Sequence, residues 1–165
     1  RLGLGWPPAD RGRHDHGFPP DRPRPGPGVP GMLHLPAALH SQLIEAAATN
    51  SAEEVCGLVA GLGTHAEAVL PITNALHRSD AFDMDPAELI AAMRWLRENA
   101  RDLVAIYHSH PTSAPYPSAT DQAQNQYPDT PHLIIGREAG EWRVRGFRIT
   151  SSEIVEIGLQ ITDPQ

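Results

Sequence analysis

The stretch His108-Ser-His-Pro-Thr-Ser-Ala-Pro-Tyr-Pro-Ser-Ala-Thr-Asp121 carries the clearest chemical pattern in the chain. Its two histidines stand two residues apart. Ser118 follows after seven intervening residues, and Asp121 follows after two more. Two imidazoles and a carboxylate at this spacing are the donor set of a three-ligand metal site with an open fourth position.

The residues just before this stretch predict how the donors are held. Residues 103–109 form a short apolar run, which indicates a buried strand. Residues i and i+2 of a strand share a face, so we expect His108 and His110 to present both imidazoles to one point. Pro111 removes a backbone donor and ends the strand. Asp121 is then the natural third ligand of a zinc ion, which would keep a water in its fourth position.

The segment Ser118-Ala-Thr-Asp121 also fits a helix capping box, in which the serine and the acid each bond to the other's backbone N–H. Capping and metal binding are compatible, because a carboxylate has two oxygens. A second pair of this kind, His14-Asp-His16, lies in a proline-rich segment with no predicted scaffold. We do not expect that pair to bind a metal.

A zinc hydrolase also needs a group that moves protons, although zinc lowers the pKa of its bound water to about 7. The run Ala52-Glu-Glu-Val-Cys-Gly-Leu-Val-Ala-Gly61 predicts a strand, and Glu54 lies near its start. Taken alone, Glu54 is better explained as a solvated acid beside Glu53. Its assignment as a catalytic carboxylate therefore needs further support.

That support comes from a family resemblance. Glu54-Val-Cys-Gly57, followed by residues 108–121 at the spacing described, resembles the motif of the JAMM (MPN-plus) metalloprotease family. The resemblance extends to Asn74 and to Phe82-Asp-Met-Asp-Pro86, which is similar to a recurring segment of the compact prokaryotic members. It covers residues 32–165, and every element of the motif is present.

The resemblance implies one zinc ion per chain, held by His108, His110 and Asp121. It implies that Glu54 acts as general base and then as general acid. It also implies that Ser118 helps to hold the attacking water or the developing oxyanion, where pre-placed donors are most effective. The fold it implies is a curved, mixed, partly barrel-like sheet flanked by helices, the JAMM/MPN architecture, which is similar to that of cytidine deaminases.

Cys56 is the only cysteine, which excludes a disulfide within the chain and a C-x-x-C zinc ribbon. A cysteine protease with Cys56 as nucleophile and His108 or His110 as base is an alternative. We consider it weaker, because Cys56 lies in an apolar run, where a thiol is usually inert. A redox influence of Cys56 on the metal site stays open.

The composition argues against several classes of function. All 13 basic residues are arginine, and 20 acidic residues give a formal net charge of −7. Residues 1–31 are slightly basic, so the negative charge lies within residues 32–165. An acidic domain repels phosphate backbones, which argues against nucleic acid as a partner.

The sequence also predicts the compartment. No stretch approaches the ~20 apolar residues of a membrane span, and residues 1–31 lack the apolar core of a signal peptide. Together with the single cysteine, this predicts a cytoplasmic protein that makes no contact with a membrane.

The chain divides near Met32. Residues 1–31 contain eight prolines and seven glycines, and such a segment cannot bury enough apolar surface to offset its ordering entropy. We expect a disordered extension, whose deletion leaves activity and melting nearly unchanged. A proline-rich docking arm is the alternative. Residues 32–165 alternate helical and strand periodicity without a regular βαβ repeat, which predicts one α+β domain with a mixed sheet.

The elements of this domain are predicted from apolar periodicity and capping residues. The predicted strands are 33–35, 54–61, 66–72, 103–109, 132–137, 142–149 and 153–161, and the predicted helices start near Pro36, Asp85 and Ser118. We expect Trp95, Trp142 and Phe147 in the core.

The substrate follows from the resemblance rather than from the chemistry of the site. The large eukaryotic relatives grip ubiquitin chains with insertions for which this chain leaves little room. The compact bacterial members resemble enzymes acting at the C-terminal tail of ubiquitin-like sulfur-carrier proteins. The resemblance therefore implies a peptidase or isopeptidase with such a carrier as partner. An extended tail could pair along a sheet edge, with Pro111–Pro117 as one wall or simply as a connector.

Two other functions were weighed. The first is a non-catalytic MPN-type scaffold that binds protein partners, and the complete ligand set argues against it. The second is a zinc nucleobase deaminase, which needs H-x-E and a distant P-C-x-x-C. A chain with one cysteine cannot supply that signature.

Overall fold

The computed structural model describes residues 5–8 and 31–163. Its elements in chain order are β1 (Met32–Pro36), α1 (Ala37–Thr49), β2 (Cys56–Leu62), β3 (His65–Ile72), α2 (Pro86–Glu98), β4 (Asp102–Ser109), α3 (Ala119–Gln124), β5 (His132–Glu138), β6 (Glu141–Ile149) and β7 (Ile154–Thr162). The predicted α+β class with a mixed sheet and flanking helices is confirmed.

The strands form one closed barrel in the order β1-β3-β2-β4-β5-β6-β7. The parallel pairing of β7 with β1, from Met32↔Gly158 to Pro36↔Thr162, closes it. On its other side β1 meets β3 at the single pair His34↔His65. Strands β4 and β5 also run parallel, whereas β2–β3, β2–β4, β5–β6 and β6–β7 are antiparallel. The sheet is thus mixed as predicted, and its closure is complete rather than partial.

Strands β2 and β4 are buried on both faces, because α1 packs on one side of them and α2 on the other. On the α1 side, Leu43 packs in one core cluster with Tyr107. On the α2 side, Leu96 packs in a second cluster with Ile106. Since side chains alternate along a strand, His108 follows Ile106 on the α2 side. The sheet therefore carries the first predicted ligand on its α2-facing surface.

The start of α2 follows its sequence signal only in part. Asp85 caps the helix by accepting from Glu88 N at 2.9 Å, and Pro86 occupies the first turn. In a complete capping box, Glu88 would also bond to the backbone N–H of Asp85. Its carboxylate instead accepts from Thr73 N at 2.6 Å and from Thr73 Oγ1 at 2.9 Å. This contact ties the start of α2 to the residue that follows β3.

The aromatic residues expected in the core are buried to different degrees. Phe147 is fully buried, whereas Trp95 and Trp142 are half-buried. None of the helices in the described part of the chain is long and apolar enough to cross a membrane.

Residues 5–8 lie against the domain. Trp6 is half-buried beside the core cluster on the α2 side, and its Nε1–H donates to Pro71 O at 3.1 Å. A second hydrogen bond runs from the domain to this segment, since Trp95 Nε1–H donates to Pro7 O at 3.1 Å. These contacts join this short piece to its own domain, and the docking-arm alternative stays a prediction. Residues 1–4 and 9–30, for which we predicted disorder, lie outside the described residues.

Candidate metal centre

The three side chains proposed as ligands converge at the carboxyl end of β4. His108 Nε2 and His110 Nε2 lie 3.1 Å apart. Asp121 places Oδ1 at 3.2 Å from His108 Nε2 and Oδ2 at 3.2 Å from His110 Nε2. The two imidazoles are buried, and the side chain of Asp121 is only 9% exposed. Among the described residues these three form a group that could hold a metal ion.

Neighbouring atoms fix the orientation of both imidazoles. His110 is held by its backbone, since His110 N donates to Ile135 O at 2.7 Å. Its ring Nδ1 lies 3.0 Å from Ala114 O. A carbonyl only accepts, so Nδ1 carries a proton, and the neutral ring would present its Nε2 lone pair to a bound metal ion. Phe82 stacks on the His108 ring, with centroids 4.6 Å apart and planes inclined by 26°.

Asp121 and Ser118 form the predicted capping box at the start of α3. Ser118 Oγ accepts from Asp121 N at 3.0 Å, and Ser118 N donates to Asp121 Oδ2 at 2.7 Å. The same Oδ2 faces His110. The box thus orients the carboxylate toward the imidazoles, and the serine hydroxyl keeps its own proton available for donation.

The electrostatics of the group suit a cation. Burial opposes the charged form of Asp121, but hydrogen bonds from His108 and His110 outweigh it and hold the pKa of Asp121 well below its usual range. Burial lowers the pKa of His108. For His110, burial is outweighed by the bonds to Asp121 and to the Ala114 carbonyl, which raise the pKa. An ionised carboxylate beside imidazole nitrogens is the donor set that divalent transition metals select.

Glu54 lies just before β2 rather than within it. The predicted strand began at residue 54, but β2 starts at Cys56. The reason is that the backbone of Glu54 bonds to a loop, with Glu54 N donating to Arg78 O at 2.7 Å. The next residue, Val55, donates from its N to Ser109 Oγ at 2.9 Å. Glu54 is therefore held by loop and side-chain contacts instead of a strand ladder.

The carboxyl group of Glu54 is buried close to the cluster. The residue is 4% exposed, and Oε2 has no hydrogen-bond partner among the described residues. Burial raises the pKa of Glu54 to about 7, with His110 lowering it and Asp121 raising it further. The solvated-acid interpretation of Glu54 is therefore wrong. A carboxyl with a pKa near neutrality is suited to take up and return a proton.

Two residues without a role in the sequence analysis hold Glu54 in place. Asn74 is buried, and its Nδ2 donates to Glu54 O at 3.1 Å and to Ala81 O at 3.0 Å. Its Oδ1 accepts from Asp83 N at 3.1 Å. Ser109, on β4, accepts from Val55 N through its hydroxyl. The family resemblance included Asn74, but no local sequence signal gives the partners of either residue.

A cleft of about 570 Å³ opens beside the metal ligands. One wall comes from the segment between β3 and α2, and the other from α3 and the residues that follow it. Its lining includes Leu76, Phe82, Met84, Leu89, His108, Asp121, Tyr127 and His132. The surface of the cleft is more apolar than polar, and two of the proposed ligands belong to its lining.

The segment Pro111–Pro117 lies outside the lining of this cleft. It packs on β5, where Arg137 N donates to Ser113 O at 3.1 Å. Gly136 permits this approach, because a Cβ there would lie 2.6 Å from Ser113 O. Tyr116 packs edge-on against Phe147, with ring centroids 5.3 Å apart. Of the two roles considered for this segment, the structure favours the connector.

Cys56 does not have the properties of a nucleophile. It is buried, and its thiol donates to Ile72 O at 3.4 Å. Burial raises the pKa of Cys56 to about 12, with the charge of Glu54 raising it further. The reactive form of cysteine is the thiolate, so this thiol stays protonated and inert at neutral pH.

Comparison with known proteins identifies a matching family profile and several relatives. The family profile described as prokaryotic homologues of the JAB domain matches residues 36–149. The desampylase of Haloferax volcanii is 36% identical over 112 residues, covering 63% of this chain and 80% of the relative. The CysO-cysteine peptidase of Mycobacterium tuberculosis is 26% identical over 139 residues, covering 82% of this chain and 95% of the relative.

The fold is also found among solved structures. A protein of Desulfitobacterium hafniense, solved in solution, superposes with a TM-score of 0.73 at 27% identity. The alignment covers 81% of this chain and 94% of that protein.

Proposed function

Because the chain belongs to the family of prokaryotic homologues of the JAB domain, we propose that it is a zinc-dependent peptidase or isopeptidase. Its substrate is the C-terminal tail of a ubiquitin-like sulfur-carrier protein. The observation that carries the proposal is the convergence of His108, His110 and Asp121 beside the buried carboxyl of Glu54. The membership agrees with the JAMM resemblance found in the sequence.

The donor set fits zinc. Ligand atoms about 2.0–2.1 Å from a tetrahedral zinc ion lie roughly 3.3 Å from one another. The two imidazole nitrogens lie 3.1 Å apart, and each lies 3.2 Å from a different oxygen of the Asp121 carboxylate, one of which would ligate the ion. His108, His110 and Asp121 would therefore hold one ion per chain with little rearrangement. When bound, zinc lowers the pKa of a coordinated water and polarises the scissile carbonyl.

The protein's own groups then move the protons. The Glu54 carboxylate accepts a proton from the attacking water, and the resulting carboxylic acid donates it to the nitrogen of the leaving group. Ser118 donates its hydroxyl proton to the water or to the oxygen on which negative charge develops. Asn74 and Ser109 keep Glu54 in place during both transfers. The buried site excludes bulk water from these steps.

The cleft beside the ligands supports the substrate class. Its lining is partly apolar and includes His108 and Asp121, so a narrow flexible tail in the cleft would have its terminal peptide bond close to the cluster. The desampylase and the CysO-cysteine peptidase are named for reactions on ubiquitin-like carriers and their adducts. We place the reaction in the cytoplasm, in keeping with a single, buried cysteine.

Mass spectrometry of ubiquitin-like carriers with C-terminal adducts tests the proposal. We expect the protein to release the adduct, and we expect a chelator or the Glu54→Gln variant to prevent release. Stoichiometric zinc with no cleavage of any carrier, peptide or isopeptide substrate would contradict the proposed activity. That result would favour the non-catalytic scaffold.

A further inference from the structure

The helix that carries Asp121 is held without a hydrophobic face. None of the six residues of α3, all of which the structure describes, is buried. A helix this short is not stable by itself. Yet Asp121 must keep both carboxylate oxygens within reach of two imidazoles on a different element. Polar contacts near the C-terminal end of α3, rather than apolar packing, hold the helix in place.

Two side-chain amides join the end of α3 to the end of β6. Asn125, the C-cap residue of α3, donates from Nδ2 to Ile149 O at 2.6 Å. Gln122, one residue after Asp121, donates from Nε2 to Thr150 O at 2.9 Å. Both acceptors are backbone carbonyls at the end of a barrel strand, so these bonds tie α3 to the rigid part of the domain.

The other half of the Asn125 amide reaches β5. Its Oδ1 accepts from Tyr127 N at 2.9 Å and lies 3.1 Å from His132 Nε2. Because Nδ2 already donates to a carbonyl, the amide has only one orientation that satisfies its partners, and His132 must donate from Nε2. His132 is 6% exposed and pairs with Ile106, two residues before His108. The amide thus links α3 to the strand beside the proposed ligands.

The other helix ends offer a comparison for Asn125. Each of the helices in the described residues ends at an asparagine: Asn50, Asn99 and Asn125. Asn50 Nδ2 donates to Ala46 O and Asn99 Nδ2 donates to Trp95 O, each at 2.8 Å and each within its own helix end. Asn125 instead turns its amide to other elements through the bonds described above. Its side chain serves tertiary structure rather than the helix terminus.

We propose that Asn125 and His132 are positioning residues of the metal centre: they hold α3 against β5 and β6 and so set the Asp121 carboxylate against His108 and His110. The inference rests on the proposed metal site. Residues that orient metal ligands through hydrogen bonds typically change metal affinity 10–100-fold when replaced. Both residues line the cleft, but the positioning role acts through α3 and Asp121, so metal binding without substrate reports it.

Cobalt(II) binding to the full-length, metal-free protein tests the proposal without any substrate. Cobalt(II) replaces zinc and reports ligand geometry through its visible absorption. We expect Asn125→Ala to weaken cobalt affinity about 10- to 100-fold and to alter the absorption spectrum. The matched control is Asn50→Ala, which removes the same amide from another helix end and should leave affinity and spectrum unchanged.

A second pair of variants separates positioning from general loss of structure. His132→Gln places an N–H donor near the position of Nε2, whereas His132→Ala removes it. We expect the glutamine variant to retain most of the cobalt affinity that the alanine variant loses. Unchanged affinity and spectrum in both Asn125→Ala and His132→Ala would overturn the proposal. So would an equal loss of affinity in Asn50→Ala.

These outcomes are distinct from a failure of the proposed function. A protein that binds cobalt, loses affinity on Asn125→Ala and cleaves no carrier would refute the peptidase and leave the positioning role intact. A protein that cleaves carriers normally with Asn125→Ala and with unchanged cobalt affinity would refute only the positioning role.

Discussion

The side-chain amide of Asn74 donates to the backbone carbonyl oxygen of Glu54 at 3.1 Å. The same amide also bonds to Ala81 O and, through its oxygen, to Asp83 N. One buried residue therefore connects the proposed proton carrier to the segment that forms a wall of the cleft. Movement of that segment on substrate binding would displace the backbone of Glu54.

Asn74→Ala should lower turnover while the metal stays bound, because Glu54 loses a support but the ligands do not. Several buried polar groups also lose their partner, so we expect a stability loss of about 3 kcal/mol, at about 1–3 kcal/mol per unsatisfied group. Turnover, zinc content and urea unfolding measure these effects. Asn50→Ala, which removes the same amide from an exposed helix end, is the matched control and should leave turnover and stability nearly unchanged. Wild-type turnover in Asn74→Ala would show that Asn74 does not support Glu54 in catalysis.

Glu54→Gln should abolish cleavage and leave zinc binding intact. Glutamine has nearly the same shape but cannot accept and return a proton, so it isolates the transfer step. Glu53→Gln is the control, since that neighbouring carboxyl is not placed at the site. Residual turnover near the wild-type level in Glu54→Gln would exclude Glu54 as the proton carrier.

The contribution of Glu54 to the stability of the metal-free protein should fall as pH rises from about 4.5 to about 7, whereas the pKa of His132, lowered by burial to about 4, acts in the opposite direction. Burial raises the pKa of Glu54 to about 7 from 4.5, so in this interval the folded state holds a proton that the unfolded state has released. Stability is then lost with rising pH, by about 3 kcal/mol in all at about 1.4 kcal/mol per pKa unit. Denaturant unfolding at pH 4.5 and 7.5 measures the change in the free energy of unfolding with pH. This change should differ by about 3 kcal/mol between the wild type and Glu54→Gln. Identical pH dependence in both proteins would contradict the buried carboxyl.

His110→Ala and Asp121→Ala should each lower the zinc content of the purified protein well below one ion per chain. Each change removes one of three ligands, and two remaining ligands bind zinc weakly. His65→Ala removes an exposed imidazole far from the cluster and is the control for nonspecific binding. Metal analysis by mass spectrometry gives the stoichiometry. Full zinc in both ligand variants would refute the assignment.

Trp6→Ala should lower the melting temperature, contrary to the expectation that residues 1–31 are dispensable. Trp6 packs on the core cluster near α2 and donates to Pro71 O. Loss of a half-buried indole should cost about 2 kcal/mol, roughly half the cost for a fully buried one. Calorimetry measures the shift, and Pro20→Ala, in the same segment, should leave melting unchanged. An unaltered melting temperature in Trp6→Ala would restore the view that the segment is dispensable.

The sequence predicts the elements of this fold well, because each has its own local signal. Apolar alternation marks the strands, and Asp85 with Pro86 marks the start of α2 within one residue. Spacing along one strand likewise brings His108 and His110 together. These are short-range relationships, and short-range periodicity is what a sequence displays directly.

Relationships between distant segments were harder to predict. The start of β2 was placed two residues early, because the contacts of Glu54 with Asn74 and Arg78 are not visible in the apolar pattern. Asn125 and His132 gave no signal at all, since their bonds depend on β5 and β6 lying beside α3. Complete barrel closure also depends on a pairing between the first and last strands, which no local pattern specifies.

That pairing determines when the domain can form during synthesis. Strand β1 emerges from the ribosome before the other strands, yet β7, which pairs with all five of its residues, is the last strand to be translated. Until then β1 has only one paired position on β3, and its leucines have an incomplete core to enter. Strand β1 therefore stays almost unpaired until nearly the whole domain has been translated. If translation stopped before β7, the unpaired edge of β1 would be accessible to chaperones and proteases.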